Sequence, residues 1–245
     1  MRREQKPRRF GYFLAEIFIL ILGISASFAL NEWRVSKQES SQETELLLNF
    51  KQNLKVDSLA LHEGMKQLKL QVENAQKLLM SDDALPIDSL VNYSISLLNY
   101  VPFNTNDITY QQMKSSGRIG IIENDSLANR LVGLYESSFE LVTTWTLIDA
   151  EHVRQKLIPF VEENFPFAIG LRYSQSDNSV KRELAKQIKS DQFKHLVQFG
   201  LSYKASTAVI VESVLEEIRE TIAMIDSELP SSQTVYGRES TSQGQ

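Results

Sequence analysis

Between Phe10 and Leu30 the chain reads FGYFLAEIFILILGISASFAL, 21 residues with one charge, Glu16. A helix rises about 1.5 Å per residue, so this run covers about 30 Å, the hydrocarbon thickness of a bilayer. The reading that fits is a transmembrane helix. A buried core helix is the poorer alternative, because the run is long and its leading flank is strongly basic. Residues 1–9 hold five bases, Arg2, Arg3, Lys6, Arg8 and Arg9, against one acid, Glu4. Basic flanks are retained in the cytoplasm, so the N-terminus is expected inside and the rest of the chain outside. Arg8 and Arg9 are expected at the inner interface. Tyr12 and Trp33 stand near the two ends of the span, where amphipathic rings prefer to sit. A cleaved signal peptide is the rival, with a small-x-small site at Ser27-Phe28-Ala29. An uncleaved anchor is preferred: the run carries an acid, and helix-favouring sequence continues past Trp33 without a turn signal.

Glu16 is costly inside a bilayer, and such a residue is a candidate functional group by default. It either reaches the nearby interface or meets a partner helix. Glu16, Gly23 and Ser27 are spaced by seven and four, so they share one helical stripe. Gly23-x-x-x-Ser27 is a small-xxx-small pair, which lets two helices approach closely. These three residues are the candidate contact for another membrane protein or a second copy of the chain.

The rest of the chain is acidic, with 21 bases against 30 acids. Such a body is a poor electrostatic partner for nucleic acid, whose binding rests on neutralised phosphates. The absence of cysteine rules out disulfides and thiolate metal sites.

Ala15-Glu16-Ile17, Gly23-Ile24, Ala29-Leu30 and Asn31-Glu32-Trp33 resemble the opening of a family of uncharacterised single-span proteins found chiefly in Bacteroidota. Tyr110 followed by Lys114-Ser115-Ser116-Gly117 is similar to that family's mid-chain signature. Ala15 stands where a glycine is usual, and Ser25 and Ser27 where aliphatics are usual. The resemblance implies a bitopic envelope protein and no particular activity.

Beyond the span, prolines at 86, 102, 159, 166 and 230 leave two long proline-free stretches, 31–85 and 167–229, the natural homes of long helices. The first carries Leu47, Leu54, Leu61, Leu68 and Ala75 at heptad spacing, with Met65, Val72 and Leu79 in a parallel row. It predicts a helix from about Trp33 to Met80, weakened but not ended by Gly64. A loop follows over Ser81–Pro86. Asp88 is expected to cap a short helix and Asp107 a second one ending at Gly117. Ile119–Ile122 is read as extended. A helix opening at Asn124 or Asp125 carries Leu127, Leu131, Leu134, Leu141, Trp145 and Ile148. It ends near Pro159 or Pro166. After a loop at 167–178, a short helix covers Val180–Lys189. A long one starts near Asp191, with a stripe of Leu196, Phe199, Tyr203, Ile210, Val214, Ile218, Ile222, Ile225 and Leu229. The tail from Pro230 is polar and reads as disordered. The expected organisation is a basic cytoplasmic leader at 1–9, a transmembrane helix at 10–31, a helical extracytoplasmic domain at 32–229 and a tail at 230–245. The fold class is all-α, with the amphipathic helices burying their apolar faces in a bundle.

Motifs for chemistry are sparse. His62, His152 and His195 lie far apart, and no Glu-x-x-His pair of the di-metal bundles occurs. No Gly-rich phosphate loop or nucleophile elbow is present. Glu162-Glu163 and Glu216-Glu217 are adjacent on helices and point apart. Trp145, Phe160, Phe165, Phe167 and Tyr173 gather around the Pro159–Pro166 corner, as a plug for the bundle end or the lining of a pocket. No cofactor is expected. These readings favour a non-enzymatic, membrane-anchored module of the periplasm that binds a partner or ligand. The alternatives are a tethered envelope hydrolase and an accessory subunit of a larger inner-membrane complex.

Overall fold

The computed structural model describes residues 9–80, 85–166 and 177–229, with side chains described from Tyr12 onward. The expected leader including Arg8, residues 81–84 of the expected Ser81–Pro86 loop, most of the 167–178 loop with Phe167 and Tyr173, and the tail from Pro230 lie outside the described residues. Among the described residues the secondary structure is helical, with a non-helical segment at 97–107, and holds no strand. It divides into two units, Met1–Leu47 and Leu48–Gln245.

The first unit is helical from Arg9, where helix α1 (Arg9–Met80) begins. Its apolar run keeps its side chains outward on every face: Phe18 is 61% exposed, Ile19 68% and Phe28 71%. The run is long and apolar enough to cross a membrane, and none of it is buried. Ser27 Oγ donates to the Gly23 carbonyl at 2.9 Å, so the hydroxyl is satisfied within its own helix.

The second unit is a helical bundle. It contains the remainder of α1, then α2 (Ile87–Ser96), α3 (Ile108–Ser115), a 3-10 turn over Arg118–Ile121, and α4 (Asp125–Gly133). A π turn over Leu134–Ser138 leads into α5 (Phe139–His152), and a second over Val153–Leu157 leads into α6 (Ile158–Asn164). Helices α7 (Asn178–Ile188) and α8 (Asp191–Glu228) complete it.

The expected heptad row of α1 is inward at Leu54, Leu61, Leu68 and Ala75, and the helix runs on through Gly64. Helix α4 opens as expected, with Asn124 Oδ1 accepting from the Leu127 N–H at 3.1 Å. Ser190 does the same for Phe193 at the start of α8. Helix α3 stops before Gly117, whose φ of +67° is the left-handed conformation glycine adopts without strain.

Several expectations shift. Asp88 lies in the first turn of α2, with Pro86 at the cap position. Asp107 holds the cap position of α3 but accepts from Gln111 Nε2 at 2.9 Å instead of from the backbone. Residues 118–121 coil into a 3-10 turn where an extended run was expected. The largest shift is on α5. Leu141 is 47% exposed, while Phe139, Val142, Thr146 and Asp149 face inward. The π turn at 134–138 holds one residue more than an α turn, so every later inward position moves by one. The N-terminal half of α8 also turns differently. Phe199 is 46% exposed, and Phe193, Val197, Gly200, Lys204 and Thr207 form the inward row.

Phe160 and Phe165 both pack on Phe193, with ring centroids 5.4 and 5.6 Å away. With Leu157, Leu184 and Val197 they fill a buried cluster, so Phe160 and Phe165 plug the core, while Trp145 is half-buried outside that cluster.

Candidate functional site

On α1, Tyr12 is 77% exposed and Trp33 62%, and Lys37 Nζ lies 5.0 Å above the Trp33 ring. Arg8 lies outside the described residues, and the Arg9 side chain is not described. Gly23 has no neighbouring atom where a Cβ would stand. Glu16 is exposed. The Glu16–Gly23–Ser27 stripe is therefore an open helix surface.

In the second unit, polar groups converge where α3 meets the π turn before α5. Tyr110 and Lys114 are one turn apart on α3 and reach the same acceptor. Tyr110 Oη donates to Glu136 Oε1 at 2.7 Å and Lys114 Nζ donates to it at 2.6 Å. Lys114 and then Tyr110 hold the Glu136 carboxyl below the usual carboxylate range. Burial, followed by the bond to Glu136, raises the Tyr110 phenol to about 12. The Tyr110 ring stacks on Tyr135, with centroids 4.8 Å apart and planes within 2°. Phe139 meets Tyr135 edge-on at 5.2 Å.

Behind these rings Asp57 of α1 is buried and accepts from the Asn106 N–H at 2.8 Å and from Thr105 Oγ1 at 3.2 Å. Asn53 Nδ2 donates to Thr109 Oγ1 at 2.8 Å. These bonds fix the segment between α2 and α3, and the first turn of α3, on α1. Burial raises the Asp57 carboxyl against the pull of its two donors. Tyr135 is 7% exposed, and its hydroxyl has no hydrogen-bond partner among the described residues. Burial, with Asp57 and Asp107 nearby, raises its phenol. A cavity of about 280 Å³ opens here, lined among others by Thr105, Asp107, Lys114, Tyr135, Glu136 and Glu140.

Deeper in the bundle, Lys204 of α8 donates to Asp149 Oδ2 of α5 at 2.8 Å and to the Asn99 carbonyl at 3.2 Å. Burial lowers the lysine and raises the aspartate, each opposed by the other's charge. His152, one turn after Asp149, donates from Nε2 to the Leu196 carbonyl at 2.9 Å. Burial lowers its pKa. His62 bonds the Ser58 carbonyl at 2.8 Å, and His195 packs edge-on against Phe199 at 4.9 Å. Among the described residues no group of three or more His, Asp or Glu is placed to hold a metal.

The family described as "Family of unknown function (DUF6090)" matches residues 16–156. The chain belongs to this family. The DUF6090 match begins at Glu16 and takes in Gly23, Ser27, the Tyr110–Lys114–Glu136 cluster and the two acids behind it, Asp57 and Asp107. It also takes in Asp149 and His152. Lys204, on α8, lies outside it. No curated protein and no solved structure matches the chain.

Sequence reasoning singled out Tyr110 and Lys114 through the family resemblance. It missed Glu136, Tyr135, Asp57 and the Asp149–Lys204 pair. Glu136 and Tyr135 sit in a π turn, which leaves no periodic signal. Asp57 and Lys204 lie on inward rows that were traced through apolar residues alone.

Proposed function

We propose that this DUF6090 protein is a single-span membrane protein whose helical bundle is a non-enzymatic binding module outside the cytoplasm. The observation that carries the reading is the outward display of apolar side chains on all faces of the span, from Tyr12 to Leu30. A contiguous apolar surface of this size needs lipid or a partner around it. The basic residues before the span favour a cytoplasmic N-terminus and a periplasmic bundle. Glu16, Gly23 and Ser27 are the surface through which the span would pair with itself or with another membrane protein. The Ser27 bond to the Gly23 carbonyl keeps that stripe low in profile.

The test is extraction. After carbonate washing of membranes the full chain stays in the pellet, and a protease added outside the inner membrane digests the bundle. Release into the wash, or a mature chain beginning after Ala29, overturns the reading. Gly23→Leu is expected to reduce oligomer size or partner recovery in mild detergent. Unchanged assembly counts against the stripe.

A further inference from the structure

We propose that the cavity beneath residues 101–104 binds a small uncharged molecule with an apolar body and one hydrogen-bonding head. This deepens the binding role just given to the bundle and rests on it, but it does not depend on the span.

The cavity measures about 220 Å³ and lies between α1, the segment joining α2 to α3, α5 and α8. Leu61, Leu68 and Phe103 supply apolar walls, and Ala60 and Asn104 stand exposed at the rim. Among the described residues no charged side chain lines it. An ion entering it would lose hydration and find no opposite charge in exchange, so the fitting ligand is uncharged. An apolar cavity of about 150 Å³ already accepts benzene, so this one has room for a single ring or a short alkyl chain.

The segment over the cavity supplies the polar part of the site. It is pinned at both ends. Lys204 Nζ donates to the Asn99 carbonyl at 3.2 Å, and Asp57 accepts from the Asn106 N–H at 2.8 Å and from Thr105 Oγ1 at 3.2 Å. Between the pins the backbone is not helical, with Phe103 buried, Val101 half-buried, and Pro102 and Asn104 exposed. Among the described residues nothing donates to or accepts from the peptide groups of 101–104. Their hydrogen-bonding capacity is left to solvent or to a ligand. An apolar lining with a few open backbone groups is the usual make-up of a small-molecule site. Gly64 keeps this roof close. A Cβ there would stand 3.1 Å from Val101 Cγ1, so a residue unfavourable in mid-helix lets the segment lie against α1.

The experiment titrates the full-length chain in lipid nanodiscs with p-cresol, read by calorimetry against empty nanodiscs. Toluene offers the ring without the hydroxyl, and p-toluate and benzylammonium offer a ring with a charge. The expected result is saturable binding of p-cresol above the empty-nanodisc blank. It should be several-fold tighter than toluene and about ten-fold or more tighter than either ion. Ala60→Phe adds bulk at the rim from an exposed position, and should weaken p-cresol binding about ten-fold or more with the melting temperature unchanged. The reference ligands are measured on the unaltered chain, so the result does not hang on the folding of that variant. No saturable binding of p-cresol, toluene bound as tightly, an ion bound as tightly, or unchanged affinity in a folded Ala60→Phe overturns the proposal. None of these outcomes alters the extraction result, so the two readings fail separately.

Discussion

Lys204 and Asp149 form an ion pair at 2.8 Å in which the lysine side chain is 1% exposed and the aspartate 2%. The pair joins α8 to α5, and the lysine's second bond, to the Asn99 carbonyl, ties in the segment after α2. Asp149 Oδ1 has no hydrogen-bond partner among the described residues, so its desolvation is only partly offset. Buried pairs of this kind are weak net stabilisers, but removing one partner strands the other charge.

Lys204→Met should therefore lower the unfolding free energy by about 3–5 kcal/mol. The double change Lys204→Met with Asp149→Leu should recover most of that loss. Urea unfolding of the two variants checks both statements. A double variant as unstable as the single one would show that packing, not stranded charge, sets the cost.

His152 gives the bundle a pH dependence of definite sign. Burial holds its folded pKa below the ordinary value of 6.5. Its contribution is thus fully present above about 6.5 and is lost as the pH falls through the lower folded value. His152→Gln should flatten this part of the profile. Thermal unfolding between pH 5 and pH 8 measures it, the difference from the parent appearing on the acid side.

Gly200 lies mid-helix, where alanine would ordinarily stabilise by about 1 kcal/mol. A Cβ there would stand 3.3 Å from His152 Nε2. That ring is fixed by its bond to Leu196 and by edge contact with Tyr203 at 5.3 Å, so it yields poorly. Gly200→Ala is expected to destabilise by about 1–2 kcal/mol, against the helix-propensity trend. A rise in melting temperature would show that the ring moves aside.

Tyr135→Phe should leave stability unchanged or raise it by up to about 1 kcal/mol, because it removes a buried hydroxyl with no partner among the described residues. Differential scanning calorimetry of the unliganded protein reads this directly. A marked loss would mean that the hydroxyl has a structural partner.

The long helices were legible because their apolar rows are regular. Leu54, Leu61 and Leu68 on α1, and Val214, Ile218 and Ile225 on α8, face inward as their spacing predicts. The rows failed where polarity or helix type interrupted them. On α8 the inward row passes through Gly200, Lys204 and Thr207, so the eye is led to Phe199 and Tyr203 one position away. On α5 the step from Leu134 to Phe139 is five residues long, which no α period contains. Tyr110 and Lys114 stood out only through the family resemblance, and the acid they both bind comes from 22 residues beyond Lys114, so the fold was needed to bring it near.

That five-residue step fixes more than the phase of α5. Excising one residue from 134–138 would restore a regular α turn and keep the inward row from Phe139 onward, but it would disturb the buried Tyr135 ring and its stack on Tyr110. What it would forfeit is the paired placement of Tyr135 and Glu136 against α3. At the widened turn two consecutive side chains, Tyr135 by its ring and Glu136 by its carboxylate, both engage α3.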